Sequence, residues 1–126
     1  MSEHDEQCAV IRWFNLQYQA YNGCLFAIPN GSVLAGNKSA RARQMNALKA
    51  EGFKPGVSDL FLMVARGDHH GLFIEMKDKG KTACSVSDSQ KAHLELAERE
   101  EYMACWCPGS ESAINVIKEY MDQSGE

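Results

Sequence analysis

Asp59-Leu60-Phe61-Leu62-Met63-Val64, then Arg66-Gly67-Asp68-His69-His70-Gly71, then Leu72-Phe73-Ile74-Glu75-Met76-Lys77 is the stretch from which the fold can be read. It predicts two strands joined by a polar hairpin loop. Glu75 and Lys77 interrupt the apolar second strand, and their i, i+2 spacing directs both side chains to one face. An antiparallel partner returns Asp59, at the start of the first strand, to the same end of the sheet. Two carboxylates and an ammonium thus meet at one strand end, beside the approach loop Lys54-Pro55-Gly56-Val57-Ser58. Two carboxylates, a backbone carbonyl and several waters form a hard-oxygen site suited to Mg²⁺. A lysine beside such an ion can hold or help deprotonate its water. A lone Glu-x-Lys in a strand reads first as solvent-facing charge on a sheet edge. Asp59, one hairpin earlier, strengthens the site reading.

Outward from the hairpin, Glu6 to Tyr18 places Val10, Ile11, Phe14 and Tyr18 at helical spacing. Cys24 to Ile28 is a short apolar strand stopped by Pro29-Asn30-Gly31, and Gly31 to Gly36 is a loop. Lys38 to Glu51 reads as a helix with Met45 and Leu48 inward, ended by Gly52. After the hairpin come a loop from Asp78 to Val86, a helix from Ser87 to about Glu100, and a strand from Tyr102 to Cys107. Ser110 then caps a last helix with Ile114, Ile117 and Met121 on one side. The order α-β-α-β-β-α-β-α predicts a mixed α/β fold, a small mixed four-stranded sheet flanked by helices.

The 126 residues and 14.0 kDa predict one domain over 1–126. Hydrophobic residues at 44% and charged residues at 24% exclude disordered and collagen-like classes. No apolar run approaches the ~18 residues of a membrane span, and the first seven residues are polar and acidic. A soluble cytoplasmic protein without a membrane partner is the expectation. The net charge of -4 is unevenly spread. Residues 38–81 carry nine bases against five acids, whereas both flanks are acidic. A basic middle can serve as a polyanion-binding face, or simply be solvated surface. Arg41, Arg43, Lys49, Lys54, Lys79 and Lys81 are the candidate phosphate contacts. The five cysteines read as reduced thiols, and Cys105-Trp106-Cys107 has no second Cys/His pair at zinc-site spacing.

Gly56-Val57-Ser58-Asp59 and Gly71-Leu72-Phe73-Ile74-Glu75-Met76-Lys77 resemble the PD-(D/E)xK nuclease superfamily, and within it the stand-alone VRR-NUC branch of phage and bacterial type. Glu6-Gln7, Ile28-Pro29-Asn30-Gly31, Leu48-Lys49-Ala50-Glu51-Gly52 and Gln90 extend the resemblance over nearly the whole chain. Ser58 departs from the proline usual before the motif aspartate, a residue that supplies no ligand. The resemblance implies a restriction-endonuclease-like core. It implies that Asp59, Glu75 and the Met76 backbone carbonyl bind Mg²⁺ or Mn²⁺, and that Lys77 positions or activates the attacking water. It also implies DNA cleavage that leaves 5′-phosphates.

Two further residues each carry two readings. Glu6 lies in the first helical turn, where an acid is favourable on its own; the resemblance gives it a role at the metal site. Gln90 closes the capping box Ser87-Asp88-Ser89-Gln90, and the family places a glutamine there near the catalytic centre. Stand-alone members resemble junction-resolving enzymes, which implies a homodimer acting on branched or four-way (Holliday) junctions in a bacterial or phage-infected cytoplasm. A two-fold substrate is matched most simply by a two-fold dimer. Trp13, Tyr18, Tyr21, Trp106 and Tyr120 supply more large aromatics than so small a core readily hides. The competing classes are a catalytically silent nucleic-acid-binding module on the same fold, a nuclease for flaps or duplex, and a small interaction protein.

Overall fold

The computed structural model describes residues 2–29 and 34–124; Asn30-Gly31 and the start of the loop expected up to Gly36 lie outside them. The elements are α1 (Glu3–Gln17), β1 (Leu25–Ala27), α2 (Lys38–Ala50), β2 (Leu60–Leu62), β3 (Leu72–Lys77), α3 (Asp88–Arg99), β4 (Met103–Pro108) and α4 (Ser110–Met121). Single 3₁₀ turns occur at Gln19–Tyr21 and Ala83–Ser85. The α-β-α-β-β-α-β-α order and the mixed four-stranded sheet are as the sequence predicts. In space the strands run β1-β2-β3-β4. β1, β2 and β3 form an antiparallel meander, and α3 carries the chain over to a parallel β4.

Alternation divides the sheet into two faces. Leu60, Leu62, Leu72, Ile74, Met76 and Cys107 are fully buried with Val10 and Phe14 of α1 and Ala113, Ile117 and Tyr120 of α4. That is the core. The opposite face carries Phe61, Phe73, Glu75 and Lys77. Phe61 and Phe73 stack with centroids 4.5 Å apart, and Phe73 meets His93 of α3 edge-on at 5.0 Å. α3 thus covers the sheet face that the charged strand residues use. α2 buries none of its residues, and Met45 and Leu48 are only half-buried.

One expectation is corrected here. Ser110 is the first residue of α4 rather than its cap: Gly109, at φ 88°, holds the cap position without a side-chain bond. The cap comes instead from α1, where the Glu6 carboxylate accepts the Ser110 N–H. Four of the five large aromatics are used within the fold, and Trp106 lines an open recess with Leu94 and Glu98. Tyr120 is fully buried and donates its hydroxyl to the Val64 carbonyl at 2.7 Å, while Trp13, Tyr18 and Tyr21 pack against the core. The exposed large apolar residues are Leu16, Phe26, Met63 and Leu96.

Candidate active site

β2 begins one residue after Asp59, and the backbone there is already committed. The Asp59 carbonyl accepts the Ile28 N–H at 2.8 Å, continuing the β1–β2 pairing. On the other side, Asp59 Oδ2 accepts the Met76 N–H at 2.8 Å, so a carboxylate takes the rung that a backbone carbonyl would otherwise fill. The Met76 N–H and C=O leave an extended strand on the same side. The Met76 carbonyl therefore points toward the edge that Asp59 occupies.

Glu75 is 3% exposed and lies on the α3 face beside Asp59. Its Oε2 accepts a hydrogen bond from Gln90 Nε2 at 3.0 Å and lies 3.8 Å from Lys77 Nζ. Its Oε1 is buried with no hydrogen-bond partner. Desolvation first, then the neighbouring Asp59 carboxylate by repulsion and by sharing a proton with it, push the Glu75 carboxyl up to about 8 against the pull of Lys77. Gln90 has both of its expected places. Its Oε1 accepts the Ser87 N–H at 2.9 Å in the capping box, and its Nε2 reaches Glu75. One side chain starts α3 and ties it to the acidic corner.

The approach loop is pressed against the first turn of α3. A Cβ on Gly56, at φ 88°, would lie 2.4 Å from the Ser89 carbonyl oxygen, so only glycine permits this contact. Ser58, two residues on, is fully buried and its hydroxyl has no partner.

These elements enclose an open cleft of 520 Å³ lined by Glu3, Met45, Lys49, Phe53, Pro55, Gly56, Asp59, Glu75, Lys77, Ser87, Ser89 and Gln90. Asp59, Glu75, Lys77, Gln90 and Lys49 are thus brought together. Glu6 is not among them. It lines a separate 630 Å³ recess at the start of α4 with Lys79, and its bonds to Ser110 hold its carboxyl below the usual range. Lys54 lies close enough to depress His93, whose pKa burial already lowers. Arg41, Arg43 and Lys81 are exposed and do not line the cleft.

Sequence reasoning passed over Glu3. It faces the cleft, where desolvation first, and then Asp59 and Asp78, raise its carboxyl. The signal was present: Ser2 opens a capping box that starts the helix at Glu3. Glu3 and Glu6 share one stripe a turn apart, and the choice between them depends on which turn lies level with the strand ends.

Among the described residues no three His, Cys, Asp or Glu side chains are grouped for a metal. The corner offers two carboxylates, an adjacent carbonyl and one orphaned carboxylate oxygen. An all-oxygen donor set fits Mg²⁺ or Mn²⁺, and a cation beside Glu75 would give its buried Oε1 the partner it lacks.

The family model for the VRR-NUC domain matches residues 1–111. A solved structure described as a VRR_NUC domain protein superposes with a TM-score of 0.81 at 26% identity, over 98% of this chain and 91% of that one. No curated protein matches the chain. The fold is of nuclease type, and the chain belongs to the VRR-NUC domain family.

Proposed function

We propose that this protein is a single-domain Mg²⁺- or Mn²⁺-dependent endodeoxyribonuclease that leaves 5′-phosphates. In this reading it selects branched DNA by shape and cuts four-way junctions as a homodimer in the cytoplasm. The observation that carries it is the buried Glu75 carboxylate, with one oxygen unpartnered, set beside Asp59 and Lys77 in a cleft open to solvent. Membership of a nuclease-type family supports DNA as the substrate.

Asp59, Glu75 and the Met76 carbonyl would hold the ion, which when bound polarises a phosphoryl oxygen and lowers the pKa of its water. Gln90 fixes Glu75 by its Oε2 and leaves Oε1 to face the ion. Lys77, held 3.8 Å from Oε2, orients the attacking water and offsets charge building on the phosphoryl oxygens. Glu3 takes the part expected of Glu6, giving the cleft a third carboxylate from α1. Lys49 and, farther out, Arg41 meet phosphates. Contacts of these residues with phosphates read backbone and shape rather than bases. Two cuts in a two-fold junction call for two copies of a chain that holds one such corner.

The test is cleavage of labelled four-way junction, flap, duplex and single strand in Mg²⁺, Mn²⁺ or EDTA, alongside Asp59→Asn. Metal-dependent cutting that Asp59→Asn abolishes is expected, with junctions preferred. Binding without cutting in either metal would make the protein a silent binding module. Light scattering that shows a monomer on junction DNA would sink the dimer and the junction preference together.

A further inference from the structure

α2 is built unlike the other three helices. Lys38 to Ala50 carries Lys38, Arg41, Arg43 and Lys49 and no acid, and it buries no residue. A helix with so little buried surface is ordinarily held in part by opposite charges along its exposed side. None of the ion pairs His70–Glu101, Lys77–Glu75 and Arg99–Glu100 involves α2. Lys38 and Arg41 lie in its first turn, where the helix dipole disfavours cations. Among the described residues, none of these pairs offsets this charge pattern.

α2 is held mainly by its flanking loops. Asn37 Oδ1 accepts the Ala40 N–H at 2.9 Å. The Gln44 amide brackets Ala35, donating to its carbonyl at 2.7 Å and accepting its N–H at 3.1 Å. Phe53 N–H returns to the Leu48 carbonyl at 2.8 Å. Ala40, Gln44 and Leu48 are the half-buried side of the helix, together with Met45.

The side facing the cleft is marked by Met45 and Lys49, which line it. Lys38, Arg41, Met45 and Lys49 follow one another at steps of three, four and four residues, which keeps them on one side of a helix. Arg43, two residues from both Arg41 and Met45, falls on the far side. From Lys38 to Lys49 the helix rises ~16 Å, about five base-pair steps of ~3.4 Å along a duplex. Three cations thus form a line that ends in the same cleft as Asp59 and Glu75.

We propose that this side of α2 is a phosphate track. Lys38, Arg41 and Lys49 hold the backbone of the DNA strand being cut and lead it into the corner formed by Asp59, Glu75 and Lys77, with Met45 packing against the sugars between contacts. The track deepens the nuclease reading above and rests on it. It separates two arginines that are equivalent in the sequence, because Arg41 lies on the track and Arg43 does not. Contacts of this kind position the strand without reading its bases.

The test is binding of a fluorescein-labelled four-way junction in Ca²⁺, which replaces Mg²⁺ to hold the complex uncut, between about 50 and 200 mM salt. Each phosphate contact contributes about one unit to the slope of log affinity against log salt. Lys38→Gln/Arg41→Gln/Lys49→Gln should flatten that slope by about three units and weaken binding at least ~10-fold at low salt, with circular dichroism unchanged. Arg41→Gln and Lys49→Gln should each remove about one unit, and Lys49→Arg should keep the wild-type slope. Arg99→Gln, which removes the same charge at the far end of α3, should change nothing. An unchanged slope in the triple variant, with cleavage still abolished by Asp59→Asn, would overturn the track and leave the nuclease reading standing. An equal loss of slope in Arg99→Gln would also overturn it. Wild-type protein that neither binds nor cuts the junction would overturn both.

Discussion

Replacing Glu75 by glutamine should stabilise the metal-free protein at alkaline pH. The substitution keeps the side chain's shape, and the new amide oxygen can still accept from Gln90. It removes a charge that is buried beside Asp59 and has one oxygen unpartnered. In the folded protein this carboxyl is pushed from 4.5 up to about 8, with burial the main cause. The folded state therefore holds the proton more tightly than the unfolded chain. The resulting stabilisation is complete below 4.5 and is lost as pH rises through about 8. At about 1.4 kcal/mol per tenfold change in proton affinity, the ceiling is about 5 kcal/mol. Water entering the open cleft screens the charge, so about 2–3 kcal/mol is the expected loss between pH ~5 and pH ~9. For a chain of this size that is ~10 °C in Tm. Thermal melts in EDTA across that range should show the wild type losing stability with a slope that Glu75→Gln lacks, while both share the contributions of all other groups. Added Mg²⁺ or Mn²⁺ should restore the wild type at pH ~8 and leave Glu75→Gln unmoved. Parallel pH curves for the two proteins would refute the argument, because the carboxyl would then not be the group that titrates. A metal-induced rise in Tm in Glu75→Gln equal to that of the wild type would place the ion elsewhere.

Glu3→Gln should lower cleavage ~10- to 100-fold, the range typical of residues that support a metal site, and leave Tm unchanged. Glu6→Ala should do the reverse, costing a few degrees of Tm through the lost α4 cap while cleavage survives; the opposite pattern in the paired assays would restore the metal role to Glu6. Ser58→Ala removes a buried hydroxyl that has no partner, so urea melts should show stability unchanged or raised by up to ~1 kcal/mol. A loss above ~1 kcal/mol there would reveal a hydrogen bond the hydroxyl does make. Gly56→Ala forces a Cβ into the Ser89 carbonyl at positive φ and should cost at least ~2 kcal/mol, with cleavage reduced because the approach loop and Gln90 shift together. Full stability in that variant would show that the loop can leave α3 without consequence.

Much of this protein is encoded at the scale of a few residues. Alternation along Leu72–Lys77 places Glu75 and Lys77 on one face, and the hairpin length returns Asp59 beside them, because strand period and turn length are local properties. The capping box at Ser87 fixes the start of α3, and therefore where Gln90 begins to project. The element order and the mixed sheet follow from such signals. Tertiary structure alone decided what lies across from each side chain. Glu3 and Glu6 share a helical stripe, and only the seating of α1 sends one to the cleft and the other to Ser110, a residue 104 positions away. Arg41 and Arg43 look equivalent until the position of α2 separates the cleft side from the far side. Trp13, Tyr18, Tyr21 and Tyr120 pack in or against the core, which the sequence could not show because period marks a buried face without naming its occupant. Glu75 becomes an unusual acid only when α3 closes over it and Asp59 settles beside it, for its proton affinity depends on the water those neighbours exclude.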